Sequence, residues 1–285
     1  MKVSEIYAST KDRLKAAHIE EAENDARLLL EYFLGITRND ILMDNERELP
    51  DEDKERLEKA LVRREAREPL QYITGTAPFM GLDFKVDNRV LIPRSDTEIL
   101  VEEGLRNLSD GSRILDICTG SGCILISLLN YSNDCTGIGI DLSEDALTVA
   151  KENAENILKD KNAATFLQGD LFEALKGDES FEMVVSNPPY IPTDIVETLM
   201  PEVKDHEPRM ALDGTETGLV FYEKIIPGAK KILTVGGRLL LEIGYDQGEA
   251  VEKLMKDAGF IETEVIKDYA GLDRVVAGVK SAFGD

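Results

Sequence analysis

Cysteine, histidine and positive charge are all scarce in this 285-residue chain. The three cysteines, Cys118, Cys123 and Cys135, are too few and too unevenly placed for a disulfide framework. No second Cys or His pair follows the C-x4-C spacing of the first two, which argues against zinc. With only His18 and His206, a histidine metal centre is not expected either. All three thiols read as small buried residues. Long apolar runs are missing too. Nothing approaches the ~18–20 residues of a membrane span, and the opening MKVSEIYASTKDRLK lacks the apolar stretch of a signal peptide. The expectation is a soluble, cytoplasmic protein without a membrane partner. Lys and Arg number 33 against 56 Asp and Glu, giving a net charge of −23 and a pI near 4.5. Affinity for a phosphate backbone depends on Lys and Arg displacing counterions, so direct nucleic-acid binding is not expected.

With 42% hydrophobic and 31% charged residues, the chain can bury a sizeable core. Its length predicts two domains, or one large domain with an appendage. Residues 1–68 read as helices. Apolar positions recur at helical spacing over 3–16 and 22–34. A further helix over 52–66 follows Pro50, with Asp51 as its cap and acids in its first turn. The acidic stretch 43–53 reads as a solvated loop and helix N-terminus, lacking the alternating oxygen ligands and turn glycine of a calcium loop. Residues 69–93 differ in composition, and alternation around Met80-Gly81-Leu82-Asp83 predicts a short β-hairpin linking two domains.

From residue 96 on, strands alternate with helices. Strands are expected at 112–117, 136–140, 164–168, 182–186, 237–243, 260–266 and 273–279, and helices at 97–108, 122–130, 143–157, 217–232 and 247–258. This predicts an α/β fold: an open, seven-stranded, mostly parallel sheet covered on both faces. Only the turn-rich DYAGLD separates the last two strands, so they are expected to pair as an antiparallel edge hairpin.

Chemistry-bearing residues sit where these strands end. The first runs into Cys118-Thr119-Gly120-Ser121-Gly122, at the end of an α/β strand where ligands bind. Glycines there let backbone approach a ligand closely, or they simply join strand to helix. The third glycine of a dinucleotide fingerprint is replaced by Leu125, which argues against NAD or FAD. The next strand ends at Asp141, whose carboxylate can accept both hydroxyls of a ribose or cap the helix that follows. The third ends in Asp170-Leu171-Phe172, an acid for an adenine amine with apolar neighbours for the ring. One glycine turn and two strand-end acids describe a nucleoside pocket without a diphosphate subsite, which suits S-adenosylmethionine. The fourth strand ends in Asn187-Pro188-Pro189-Tyr190. Prolines lack N–H groups, so the carbonyls beside them remain free to accept. The Asn187 carboxamide oxygen and the Pro188 carbonyl can therefore both accept from one NH2 group, with Tyr190 offering a flat face. Taken alone, N-P-P is equally an ordinary turn.

With these residues the chain resembles class I methyltransferases bearing the (N/D)-P-P-(Y/F) signature, and most closely the HemK/PrmC family, the glutamine-N5 methyltransferases of peptide chain release factors. The resemblance extends to Glu68-Pro69-Leu70-Gln71-Tyr72-Ile73-Thr74-Gly75, to Leu91-Ile92-Pro93-Arg94-Ser95-Asp96-Thr97-Glu98, to Glu207-Pro208-Arg209-Met210-Ala211-Leu212-Asp213-Gly214, to Glu242-Ile243-Gly244 with Gln247-Gly248, and to Asp273-Arg274-Val275-Val276. Departures are Ser95 for a usual proline, Thr215 for a second glycine, Cys118 where glycine is more frequent, and Leu171 where some members carry an aromatic.

The resemblance implies methyl transfer from S-adenosylmethionine to the N5 amide nitrogen of the glutamine in the GGQ motif of class 1 release factors. Asn187, Pro188 and Tyr190 would be catalytic, and with Pro189 they would bind the substrate. Cys118, Thr119, Gly120, Ser121, Gly122, Asp141, Asp170, Leu171, Phe172 and Asn187 would hold the cofactor. Residues 1–68 would help grip the protein substrate, and 94–285 would form the catalytic domain. A DNA adenine-N6 methyltransferase would use the same tetrapeptide, but it must also hold a strand by positive charge. A ribosomal-protein glutamine methyltransferase is a second alternative, and a non-catalytic S-adenosylmethionine-binding regulator a third.

Overall fold

A computed structural model describes residues 2–44 and 46–282. Met1, Asn45 within the acidic stretch 43–53, and residues 283–285 at the end of the expected catalytic domain lie outside the described residues. The chain divides into two compact units. One comprises the residues up to Thr76 together with Met200–His206, and the other Ala77–Leu199 with the residues from Glu207 on.

The first unit is helical: α1 (Val3–Ala16), α2 (Ala22–Leu34), α3 (Arg38–Met43), α4 (Asp51–Glu65) and α5 (Leu70–Thr74). Leu14, Leu29, Leu30, Ile36, Leu57 and Leu61 form its core. Helix α2 stops where Gly35 adopts φ +63° and returns its N–H to the last turn. Two residues later Thr37 opens α3, exchanging hydrogen bonds with Asp40 in a capping box. Helix α4 differs from expectation in its first residue: Pro50 is the N-cap and Asp51 already lies in the first turn with Glu52 and Asp53. Their charge favours the positive end of the helix dipole without a side-chain cap.

The segment expected as a linker, 69–93, does not form a unit of its own. Its start is helix α5, which buries Leu70, Tyr72 and Ile73 and is too short to show a period. The hairpin follows as β1 (Thr76–Phe79) and β2 (Leu82–Lys85), with Met80 and Gly81 both at positive φ, the turn that matches strand twist. Met200–His206 joins the helical unit because Glu202 meets Arg67 at 2.5 Å and Arg64 at 3.1 Å, while Arg64 also holds the buried Asp25 at 2.8 Å.

The second unit continues with α6 (Glu98–Asn107), β3 (Arg113–Ile117), α7 (Cys123–Tyr131), β4 (Thr136–Asp141), α8 (Glu144–Ile157), β5 (Ala164–Gln168), β6 (Phe181–Ser186) and α9 (Thr193–Val196); α10 (Pro201–Lys204) belongs to the helical unit. It ends with α11 (Val220–Ile232), β7 (Leu233–Glu242), α12 (Gly248–Asp257), β8 (Phe260–Lys267) and β9 (Asp273–Lys280). Seven strands form one sheet in the order β5-β4-β3-β6-β7-β9-β8, parallel except for β9, which is antiparallel to both its neighbours. This is the expected class I methyltransferase architecture. Residues on β3 alternate between two buried layers, Ile114 packing with α6 and α7, Leu115 and Ile117 with α11 and α12. Strand β7 begins four residues before expectation, at Leu233, because an irregularity in its pairing with β6 carries the ladder past Gly236-Gly237. Among the described residues no helix is long and apolar enough to cross a membrane.

Arg64→Met would leave Asp25 buried without its cation, and truncating one partner of a buried pair costs about 3–5 kcal/mol. Urea denaturation should show a loss of that size, and a loss below ~1 kcal/mol would mean that solvent reaches Asp25 after all.

Candidate active site

Strand β3 has parallel partners on both sides, and the chain leaves it toward β4 but returns on its other flank as β6. A crevice forms at the carboxyl ends where the order reverses. A cavity of about 430 Å³ opens there, a size that suits a small-molecule ligand. Cys118, Thr119, Gly120, Ser121, Asp141, Asp170, Leu171, Asn187 and Pro189 all line it.

The turn after β3 bends sharply, with Cys118 at φ +61°, Gly120 at +56° and Gly122 at +79°. The two glycines do different things. A Cβ built on Gly120 meets nothing within 4 Å, so that backbone lies open at the cavity wall. A Cβ on Gly122 would stand 2.8 Å from Ile126 Cδ1 and 3.2 Å from Ala150 Cβ. Gly122 does not line the cavity: its lack of a Cβ lets α7 pack against α8. Thr119 donates its hydroxyl to Asp116 Oδ2 at 2.6 Å. Burial pushes the pKa of Asp116 up to about 7, opposed by Thr119 and the Leu125 N–H. Asp116 fastens the turn from beneath, a role the motif reading missed; the signal was an acid inside an otherwise apolar strand.

Asp141 joins two loops. Its Oδ2 accepts the Gly120 N–H and its Oδ1 the Ser143 N–H, both at 2.9 Å. Ser143, not Asp141, caps α8 through the Ala146 N–H. A carboxylate offers about four acceptor sites, so acceptor capacity remains for ligand hydroxyls. Burial raises its pKa, and those backbone donors oppose the rise. Beyond β5, Leu171 adopts φ +52° and faces the cavity with Asp170. Phe172 does not: its ring packs on Gly228 of α11 in the core layer below, which removes it from the expected adenine pocket. The open Gly120 backbone, the spare acceptors of Asp141 and the apolar wall fit a nucleoside-bearing ligand such as S-adenosylmethionine.

At the end of β6, Ser186 donates to the Ile117 carbonyl at 2.6 Å, tying the tetrapeptide to β3. Asn187 faces the cavity and donates through Nδ2 to Thr97 Oγ1 at 3.4 Å. Neither its carboxamide oxygen nor the Pro188 carbonyl accepts a bond from the described residues. Pro188 and Tyr190 are not on the cavity wall. The Tyr190 ring packs on the core layer, its hydroxyl reaching Glu242 Oε1 at 3.4 Å and its carbonyl accepting from Gln247 at 3.0 Å. Gly214 lies so close that a Cβ there would stand 2.7 Å from Tyr190 Cα. The wall also includes Arg94 and Thr97 before α6, and Pro208, Met210, Asp213 and Thr215 after the tetrapeptide. Arg94 donates to both oxygens of the buried Glu207, at 2.7 and 2.8 Å. Burial raises the pKa of Glu207, and Arg94 pulls it back. In the sequence these segments carried no chemical signal beyond family resemblance.

Comparison with known proteins agrees with this geometry. A family model described as the PrmC N-terminal domain matches residues 5–75, and one described as a methyltransferase domain matches 108–280. The release factor glutamine methyltransferase of Caulobacter vibrioides is 45% identical over 96% of this chain and 95% of its own. That of Geobacter sulfurreducens is 42% identical over 94% and 93%. The chain belongs to the release factor glutamine methyltransferase family. A methyltransferase structure from Pyrococcus furiosus, 17% identical with a TM-score of 0.53 over 71% of this chain and 91% of its own, shares the fold.

Two departures from the family pattern now have a backbone explanation. Cys118 and Thr215, at positions where glycine was expected, have φ +61° and +70°, the region where a Cβ costs on the order of 1 kcal/mol. Cys118 is also half-buried and on the cavity wall, which corrects the expectation of a buried thiol. Gly122→Ala should lower the melting temperature through overpacking of about 1–3 kcal/mol while sparing ligand affinity in the folded fraction. Gly120→Ala, with room for its Cβ but at φ +56°, should lose about 1 kcal/mol of stability and, unlike Gly122→Ala, ligand affinity as well. Calorimetric titration with S-adenosylmethionine beside thermal melts separates the two, and similar affinity losses in both variants would contradict the division.

Proposed function

We propose that the cavity holds S-adenosylmethionine and that Asn187 with Pro188 receives the glutamine side chain of the GGQ motif in class 1 peptide chain release factors, which the chain methylates at N5. The observation that carries this reading is the pair of unengaged acceptors, the Asn187 oxygen and the Pro188 carbonyl, at the end of β6 beside the cavity. When bound, S-adenosylmethionine supplies an electrophilic methyl group on a sulfonium.

Asp141 would accept from the ribose hydroxyls through its remaining acceptor capacity. Asp170 accepts from the adenine amine, and Leu171 covers the ring. Open backbone at Gly120 admits the ligand closely. The acceptor amide is a weak nucleophile because its lone pair is delocalised into the carbonyl. Asn187 and the Pro188 carbonyl accept hydrogen bonds from its two N–H groups, fix its orientation and stabilise the positive charge that grows on nitrogen. The N–H becomes acidic only as the new bond forms, so its proton leaves to solvent without a strong base beforehand. Tyr190, anchored at both hydroxyl and carbonyl with its ring against the core layer, holds the tetrapeptide in place. The helical unit helps grip the protein substrate. This reading places the enzyme in the cytoplasm, where release factors act, with no membrane partner. A net charge of −23 weighs against a DNA substrate.

Labelled-methyl transfer to unmodified release factor, with duplex DNA offered in parallel and the product located by mass spectrometry, tests the substrate. Label on the GGQ glutamine is expected, and label in adenine would overturn the reading. Asn187→Ala should raise the barrier by about 2–4 kcal/mol, the usual cost of one oriented group, with S-adenosylmethionine binding retained. Weakened cofactor binding with full turnover at saturation would refute the role given to Asn187.

A further inference from the structure

Helix α8 buries Ala146, Leu147, Val149, Ala150 and Ala154, as an amphipathic helix should, and among them Asn153, which is 1% exposed. Asparagine is a poorer helix former than alanine, and a buried carboxamide must be hydrogen-bonded. A polar residue at this place breaks the local pattern, and such breaks concentrate at functional sites. Asn153 Oδ1 accepts from the Lys85 N–H at 2.7 Å and its Nδ2 donates to the Lys85 carbonyl at 3.1 Å, so the carboxamide pairs with the end of β2 as a neighbouring strand would. The same Nδ2 donates to the Ser121 carbonyl at 2.9 Å. An N–H only donates and a carbonyl only accepts, so these partners fix which end of the carboxamide faces which. Each partner leads into one wall of the cavity. The Ser121 carbonyl shares a planar peptide with the Gly122 N–H, which donates to the Thr119 carbonyl at 2.8 Å. That peptide unit is held at both ends, directly after the open Gly120 backbone. On the other side, Lys85 runs through the buried Val86 into a turn in which the Val90 N–H returns to the Asp87 carbonyl at 3.1 Å. Arg89, Val90, Leu91, Pro93 and Arg94 of this stretch line the cavity, whereas Asn153 and Lys85 do not.

We infer that Asn153 is a positioning residue of the cofactor site: one carboxamide fastens the Cys118–Gly122 turn and the 86–94 stretch to each other, so that both walls stand in place before the ligand arrives. Without it, two carbonyls and an N–H on separate segments lose their shared partner, and the walls come together in only a fraction of the molecules. Apparent affinity falls by that fraction, while a ligand already bound holds the walls where it needs them. The loss therefore falls on the Kd for the cofactor and not on the transfer step, whose groups Asn187 and Pro188 stand at the end of β6. The inference rests on the reading of the cavity as the S-adenosylmethionine site.

The test uses the full-length enzyme and two variants. Asn153→Leu removes all three bonds at similar volume. Asn153→Asp keeps the acceptor for the Lys85 N–H but turns a second oxygen on the Lys85 and Ser121 carbonyls. Calorimetric titration with S-adenosylmethionine should show Kd raised about tenfold in both, as when one molecule in about ten has its walls in place. At saturating cofactor, kcat and the KM for unmodified release factor should stay within about threefold of wild type. A residue that only stabilised the fold would lower the melting temperature and the number of binding sites per chain while leaving Kd as it is. A wild-type Kd in either variant, or a kcat loss that saturating cofactor does not restore, overturns the inference, and normal titration of the wild type then keeps the reading beneath it. No binding of S-adenosylmethionine by the wild type overturns both. Should the variants not fold, hydrogen exchange in the wild type decides: S-adenosylmethionine should slow the Lys85 amide, off the cavity wall, together with the Gly120 amide on it, and slowing at Gly120 alone overturns the inference.

Discussion

The parallel pairing of β3 on both flanks is the constraint from which the site follows. A central strand bonded to β4 on one side and β6 on the other must send the chain out in one direction and bring it back in the opposite one. The loops that leave those strand ends diverge, and the space between them cannot be filled by either. The cavity and the tetrapeptide Asn187–Tyr190 both occupy that opening. Ser186, bonded to the Ile117 carbonyl, keeps the two strand ends in register to the last residue.

Buried and half-buried carboxyl groups hold the loops around this opening. Asp116, Asp141 and Glu242 lie on three parallel strands, and burial raises the pKa of each. Leaving a carboxyl group in such a place costs several kcal/mol unless it is hydrogen-bonded. Each is opposed by a neighbour that the site needs held: the Thr119 hydroxyl, the Gly120 and Ser143 N–H groups, the Tyr190 hydroxyl. These acids make the site rigid before any ligand arrives, which is the condition for positioning to lower a barrier.

Much of this was legible in the chain. Alternating apolar runs and turn residues led to the seven strands and their order of alternation with helices. The antiparallel hairpin was readable because too few residues separate β8 and β9 for a crossover. Gly120, Asp141, Asp170, Leu171 and Asn187 stand on the cavity wall because each follows a parallel strand, and a strand end is local information. Phe172 and Gly122 were assigned to the cofactor on the same ground, yet they face α11 and α8. A side chain's direction one residue further along a turn depends on the backbone angles of that turn, here φ +52° at Leu171 and +79° at Gly122.

The sequence by itself determined the sheet, the position of its strand ends and the residues that terminate them, because periodicity and turn chemistry act over a few neighbours. Only the tertiary structure decided what those residues meet. Thr97 reaches Asn187 across 90 positions, Glu242 reaches Tyr190 across 52, and Met200–His206 packs with helices that precede it by more than a hundred residues. Such pairings are made by the burial of distant segments against one another, and no local pattern in the chain encodes which two will meet.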